Sequence, residues 1–543
     1  MSWRMITCGK RRSAPSGVRI GACAGLVLTA VFAAGCASLP GANYPRVSSA
    51  ALANPEDTVL GAKFAPAVRL HGGNSGFRIL TAGVDGFLTR VQMIQSAQKS
   101  LDLQYFIFRG DETGRLLTDA LVRAADRGVR IRVLVDDGDT VPGDDQIAAL
   151  DAHPSIEVRI FNPFAYRGHI RAIRALEFLF NAGRLDYRMH NKLLVVDNSV
   201  ALVGGRNIGN QYFQMDPRSQ FADDDVFSAG PIASRLSATF DEYWNSGLAI
   251  PIKALGNSAA KAGDLAQHRT PGRRRREMQP LESAGPDYVA LIAAGEPYAG
   301  MVSGRLPLIW APAAVVCDSP HKQKVISGAA AGRLMETAVA AAARGVKSEL
   351  LMVTPYFIPS ADERQLLTDL RAHEVKVRVL TNSLESAPGL VAQSGYMKFR
   401  FSLLNQGVEL HEARALLGSA HGSGQTKRIS SYGNYALHAK IFVFDRRQVF
   451  MGSMNFDQRS KRLNTEIGLI IDSPELAQQT AQRFEGMVQP ENAYSVELRD
   501  QRHLVWETQE GGKTVRYDRE PARGEGQRLQ VELLSLLPLN REL

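Results

Sequence analysis

His190-Asn191-Lys192-Leu193-Leu194-Val195-Val196-Asp197 returns 248 positions later as His438-Ala439-Lys440-Ile441-Phe442-Val443-Phe444-Asp445. After the same gap, the two copies run on into Gly204-Gly205-Arg206-Asn207 and Gly452-Ser453-Met454-Asn455. The apolar run between each Lys and Asp reads as a β-strand. Alternation along a strand sends residues i and i+2 to one face, so each His points with its Lys. A phrase written twice in one chain predicts two related domains, each carrying half of one site.

The surroundings repeat too. Leu101–Phe108 reads as a strand, Thr113–Arg127 as a helix and Val129–Leu134 as a strand. The second copy offers Leu350–Phe357, Glu363–Ala372 and Val375–Leu380 in the same order. Strand and helix in alternation predict an α/β fold in both halves, duplicated, and 543 residues are enough for several cores. The expected division places a first half at 71–252, a linker at 253–290, a second half at 291–489 and a small β-rich appendage at 490–543. Residues 36–70, rich in Ala, Pro, Ser and Gly, read as a flexible tether. The linker run Arg273-Arg274-Arg275-Arg276 reads either as a patch for anionic headgroups or as a solvated connection.

Displacement at a phosphodiester requires a nucleophile, a proton donor for the leaving alkoxide, and cations or N–H donors around the non-bridging oxygens. Two facing half-sites of His, Lys and Asn supply all three. One neutral imidazole attacks phosphorus while the opposite imidazolium protonates the departing alcohol. Lys192, Lys440, Asn207 and Asn455 hold the phosphoryl oxygens, and the small Gly205 and Ser453 let them approach. Asp197 and Asp445 close the phrase where its strand turns, so a structural role in the hairpin is expected. A metal centre is disfavoured because each His has an ammonium two residues away on the same face, and the chemistry calls for no cofactor.

The two histidines must differ in protonation, which calls for carboxylate partners. Glu466-Ile467 follows the second hairpin and Asp225-Val226 the first, each an acid before a β-branched residue, which selects Glu466 and Asp225. Asp223 and Asp224 read equally well as a solvated turn.

The signature His-x-Lys, four residues, Asp, six residues, then Gly-Gly or Gly-Ser and Asn, present twice, resembles the phospholipase D superfamily. The resemblance runs from about residue 71 to the C-terminus. It implies two α/β sandwich domains in a pseudo-twofold arrangement with one shared active site. It further implies His190 as nucleophile, His438 as general acid and then base, Glu466 beside His190, and Asp225 beside His438. Thr354-Pro355-Tyr356-Phe357-Ile358-Pro359, Thr381-Asn382-Ser383-Leu384 and Cys317-Asp318-Ser319-Pro320-His321-Lys322 resemble bacterial cardiolipin synthases. The implied reaction is transfer of a phosphatidyl group from phosphatidylglycerol or phosphatidylethanolamine to phosphatidylglycerol. Hydrolysis to phosphatidic acid is the second reading and a nuclease the third. Both half-sites in one chain make a monomer sufficient, and no protein partner is called for.

The first residues set the expected location. A basic stretch, the apolar run Ile20–Ala34 and Ala33-Ala34-Gly35-Cys36 read as a lipoprotein signal peptide over 1–35, with Cys36 lipidated. With no Asp after that Cys, an exported protein on the periplasmic face of the outer membrane is expected. The formal charge of +9 owes much to the same segment, since removing its five basic residues leaves 59 against 55 acidic. That balance argues against a nucleic-acid partner. Cys317 alone remains after Cys36, so no internal disulfide is available to the mature chain.

Overall fold

The computed structural model describes residue 44 and residues 46–138, 144–167, 170–216, 219–255, 296–415, 434–500 and 503–537. The signal segment, Cys36 and the Arg273–Arg276 run lie outside the described residues.

Two mixed sheets dominate, and seven strands of each occur in the same order. The first sheet runs Ile156–Phe161, Arg130–Asp136, Ser100–Tyr105, Lys192–Val196, Val200–Gly204, Asp225–Ala229, Ser75–Leu80. The second runs Glu409–Ala413, Lys376–Asn382, Glu349–Val353, Ile441–Phe444, Gln448–Gly452, Ile467–Asp472, Ala313–Cys317. In both, the first three strands are parallel and the rest antiparallel. The chain is therefore a duplicated α/β structure with two domains of one design. The helix Glu112–Asp126 links two parallel strands in the first half and begins at Asp111, whose carboxylate accepts the Gly114 N–H. Its counterpart Ala361–Ala372 begins with a reciprocal Ser360–Glu363 capping box.

Alternation within the motif strands assigns side chains to different cores. Leu193 and Val195 join Ile441 and Val443 in one apolar cluster common to both halves, while Leu194 and Val196 face the first half's own core. Phe442 and Phe444 face that of the second half. Burial on both faces is why these strands are written as unbroken apolar runs. Each ends in a two-residue turn with positive φ, Asp197-Asn198 and Asp445-Arg446, closed by Ser199 N–H to Val196 O and Arg447 N–H to Phe444 O.

Asp197 and Asp445 sit far from any reacting atom. Asp197 accepts the backbone N–H groups of Gln98, Lys99 and Ser100, and Asp445 those of Lys347, Ser348 and Glu349, fixing the start of each central strand. Asp197→Ala is expected to cost about 2 kcal/mol of stability by stranding the buried Ser100 donor and the part-buried donors of Gln98 and Lys99. Thermal unfolding would show the loss, with activity per folded molecule unchanged.

Three boundaries differ from those the sequence suggested. The tether ends early: Val59–Leu70 is a helix whose Leu60 and Phe64 enter the first core, and Ser49 and Ala51 are hydrogen-bonded to Arg132 and Asp241. Composition concealed this because the partners that hold the segment lie far along the chain. Ile309–Ala311 pairs with Ser75–Leu80, so the first half extends past 291, and only Pro312 separates it from the second sheet's edge strand. The expected appendage continues the second sheet, with Ala493–Arg499 pairing with Glu409–Ala413 and the hairpin His503–Glu510, Lys513–Tyr517 following. Buried Glu412 ties it down, accepting from Tyr396, Arg400 and the Trp506 indole.

Candidate active site

Two short parallel bridges join the halves, and each delivers one histidine to one acid. Arg188–Met189 pairs with Asn464–Thr465, and the next residues are His190 and Glu466. Asn434–Leu437 pairs with Ser219–Ala222, and the next residues are His438 and Asp223. Equivalent backbone bonds lock both junctions, His190 N–H to Thr465 O at 2.9 Å and His438 N–H to Ala222 O at 2.8 Å.

The side chains follow that register. His190 Nδ1 lies 2.8 Å from Glu466 Oε2, and His438 Nδ1 lies 2.5 Å from Asp223 Oδ2. Each histidine is thus paired through Nδ1 with the acid of the opposite half. Both imidazoles are nearly buried, at 6% and 8% exposure, but retain a path to solvent.

Asp223, and not Asp225, is the partner of His438. Asp225 accepts Arg90 at 2.8 and 3.0 Å and Arg206 at 2.9 Å, deep in the first half. Strand pairing explains the correction. Asp225 lies opposite Gly204, while the residue opposite the equivalent Gly452 is Gly468, so Asp225 matches Gly468 and Asp223 matches Glu466. Matching an acid to a following β-branched residue placed the two halves two positions out of register. Asp224 is paired with Arg483 at 2.7 Å and is no solvated turn.

The expected phosphate contacts also divide. Gly205 makes room for an acid, since a Cβ there would collide with the Asp223 carboxylate. Ser453 donates to Glu466 Oε2 at 2.5 Å and accepts the Ile467 N–H at 3.0 Å, so it steadies the acid. Asn207 spends Oδ1 on the Ile107 N–H and one amide hydrogen on the Tyr212 hydroxyl. Asn455 is buried with an Oδ1 that has no hydrogen-bond partner. Lys192 and Lys440 both lie at the site: Lys192 donates to His190 O at 2.6 Å, and Lys440 Nζ is 2.9 and 3.2 Å from the ring nitrogens of His438.

Further residues complete the walls. The Phe106 ring lies edge-on to His190 at 5.0 Å, while Tyr212 and Phe221 lie 5.3 and 5.2 Å from His438. Behind Glu466, Asp318 accepts the Glu466 N–H and the buried Lys322 ammonium, which also donates to Ser460 O and Asn464 O. Tyr105 belongs to the core, its hydroxyl accepting from Arg90.

Electrostatics couples the halves. Burial, then Lys192 and Lys440, pushes the His190 pKa well below its ordinary value. Burial and Lys440 push His438 down to about 3, against the pull of Asp223. Burial raises Glu466 to about 7, whereas for Asp223 burial is outweighed by the His438 imidazole hydrogen-bonded to it and by Lys440, which lower its pKa. Lys440 is lowered to about 8, chiefly by burial. The histidine pairs are therefore unequal, with the firmer carboxylate at His438.

Raising the Glu466 pKa above its unfolded value means the folded protein holds an extra proton between about pH 4.5 and 7, so this group's contribution to stability falls as pH rises through that window. Glu466→Gln removes the titration. The variant's Tm relative to the parent is expected to improve steadily across that range in thermal unfolding.

Similarity to known proteins agrees with this geometry. The family model described as "Cardiolipin synthase, PLD-like domain" matches residues 91–244 and 338–488. Cardiolipin synthase C of Escherichia coli (strain K12) is 36% identical over 485 residues, covering 87% of this chain and 97% of that protein. A cardiolipin synthase of Oceanobacillus iheyensis is 23% identical, covering 79% of this chain and 72% of its own length. Among solved structures, phosphatidylserine synthase of Haemophilus influenzae Rd KW20 superposes with a TM-score of 0.53 at 13% identity, over 89% of this chain and all of that one, a likeness of fold. With its motif doubled and each histidine set against the acid of the other half, the chain belongs to the phospholipase D-like cardiolipin synthase family.

Proposed function

We propose that the protein transfers phosphatidyl groups to make cardiolipin, with His190 as nucleophile. His190 donates Nδ1–H to Glu466, which leaves the Nε2 lone pair to attack the phosphorus of phosphatidylglycerol or phosphatidylethanolamine. The N–P bond forms as the P–O bond to the headgroup breaks, and His438 Nε2–H protonates the leaving alcohol. A hydroxyl of a second phosphatidylglycerol then gives its proton to His438 and attacks phosphorus, releasing His190.

The observation that carries this reading is the crossed pairing of each histidine with a buried carboxylate of the opposite half. The unequal pairs favour the stated roles. Low His190 basicity preserves the neutral nucleophile, while ionised Asp223 supports the imidazolium a general acid requires. An arriving phosphate anion offsets Lys440 and Lys192, whose charges add to burial in lowering the His438 pKa. The lysines take the place of a metal at the non-bridging oxygens.

Among the described residues no helix is long and apolar enough to cross a membrane. We also propose export and lipid attachment at Cys36, which would bring a monomeric enzyme to phospholipid at the periplasmic face of the outer membrane. The test of the reaction is incubation of purified protein with phosphatidylglycerol, with and without phosphatidylethanolamine, and identification of lipids and released alcohols. Cardiolipin with glycerol or ethanolamine supports the proposal. Phosphatidic acid alone replaces transfer by hydrolysis, and cleavage of DNA without lipid turnover overturns both.

A further inference from the structure

Ten of the fourteen large apolar side chains exposed among the described residues fall in two places. In the first half they lie along the helix Arg171–Phe180: Ile170, which precedes its first turn, is 56% exposed, and Leu179 and Phe180 at its end are 72% and 73% exposed, with Phe178 beside them. In the second half Leu529, Leu533 and Leu536 recur at three- and four-residue intervals along and just past the helix Glu525–Ser535, forming one stripe, while Val531 turns inward. Leu537, Phe401 and Val391 extend that patch.

Both patches are built onto the site's own frame. The helix Arg171–Phe180 is held through Glu177, which accepts the Ala165 and Tyr166 N–H groups, and through Arg174, which donates to Asp137 O. Asp136 and Asn162, at the carboxyl ends of two parallel strands, bind Met189 N–H and Tyr187 O, in the segment that delivers His190. In the second half Gln527 and Arg523 donate to Leu384 O and Glu385 O, just beyond the carboxyl end of Lys376–Asn382. There Asn382 donates to Leu437 O, the residue before His438. Each patch is thus linked to one catalytic histidine through two hydrogen bonds and the short stretches of chain between them.

We infer that the two patches are a pair of bilayer-docking feet that seat the mouth of the site on a phospholipid surface. The choice of partner rests on the proposed lipid chemistry: a diacyl substrate must pass from a bilayer to buried histidines, and apolar surface on both sides of that passage keeps its acyl chains out of water. Large exposed apolar patches on a folded body mark such surfaces, and helices with one apolar face lie in the interfacial plane.

The test adds one tryptophan at a time to the four of the full chain, by Leu179→Trp, Leu533→Trp or, as the control, Arg123→Trp, and reads the added signal of each against the parent protein. Arg123 is exposed near the end of a helix that leads to the amino ends of the strands, away from the site. With phosphatidylglycerol–phosphatidylethanolamine vesicles carrying brominated acyl chains, the tryptophans at 179 and 533 should be quenched at least twofold more than that at 123. In addition, Leu179→Asp with Leu533→Asp should lower turnover of vesicle lipid at least tenfold while sparing a monomeric short-chain phosphatidylglycerol. Equal quenching at all three positions overturns the inference, as does a lipid-free dimer that Leu179→Asp dissociates. Selective quenching by a protein that turns over neither substrate upholds docking and removes the proposed reaction instead.

Discussion

His190→Ala should abolish lipid turnover, with kcat falling by about four orders of magnitude or more, as expected when a covalent nucleophile is removed. Binding should persist, because Lys192 and Lys440 still meet the phosphate. The companion His438→Ala should be as damaging in the steady state, since neither alcohol departure nor acceptor activation proceeds without it. The double variant should be little worse than either single one, because residues acting as a unit are not additive. Lipid product formation and vesicle-independent binding of a short-chain phospholipid, measured on the same preparations, separate the two effects. A His190→Ala protein that keeps substantial turnover would remove His190 from the central role.

Asp223→Asn is the second large effect, and its contrast with Asp225→Asn discriminates between the two acids. Asp223 lies 2.5 Å from His438 Nδ1, where an amide keeps the shape but loses the charge that orients and supports the imidazolium. A loss of about 10³–10⁴ in kcat follows, by analogy with other histidine–aspartate pairs, with folding largely kept. Asp225→Asn leaves Arg90 and Arg206 facing an uncharged amide in the buried interior. It should cost about 3–5 kcal/mol of stability, as breaking a buried ion pair does, while the folded fraction keeps most of its rate. Thermal unfolding and kcat on both variants provide the check, and the reverse pattern would restore Asp225 to the site.

The fold was legible because the motif strands carry their own evidence. Leu193 to Val196 and Ile441 to Phe444 are apolar on both faces, and the Asp-Asn and Asp-Arg turns that close them sit at positive φ where the phrase ends. The residues of the phrase, and Glu466, could be named from order alone. Asp223 could not, because its role is set by register between Ser219–Ala222 and Asn434–Leu437, strands more than two hundred residues apart. The same limit hid the true work of Gly205 and Ser453, small residues that make room for an acid or hold it. Matching β-bridges equate Phe108 with Phe357, so Tyr105-Phe106-Ile107 and Tyr356-Phe357-Ile358 look alike in the sequence without being equivalent in the fold. The segments outside the motif misled for another reason: Val59–Leu70 and Ala493–Arg499 bury little that local composition reveals, and both are fixed by distant partners.

The central claim is that two crossed half-sites form one reaction centre in which His190 is the nucleophile and His438, supported by Asp223, exchanges protons. The most direct test is to mix Asp223→Asn protein with phosphatidylglycerol, quench rapidly at alkaline pH to preserve a phosphohistidine, and map the phosphatidyl adduct by peptide mass spectrometry. The account predicts the adduct on the peptide containing His190 and none on the peptide containing His438. An adduct on the peptide containing His438, or turnover proceeding with none on either histidine, would contradict it.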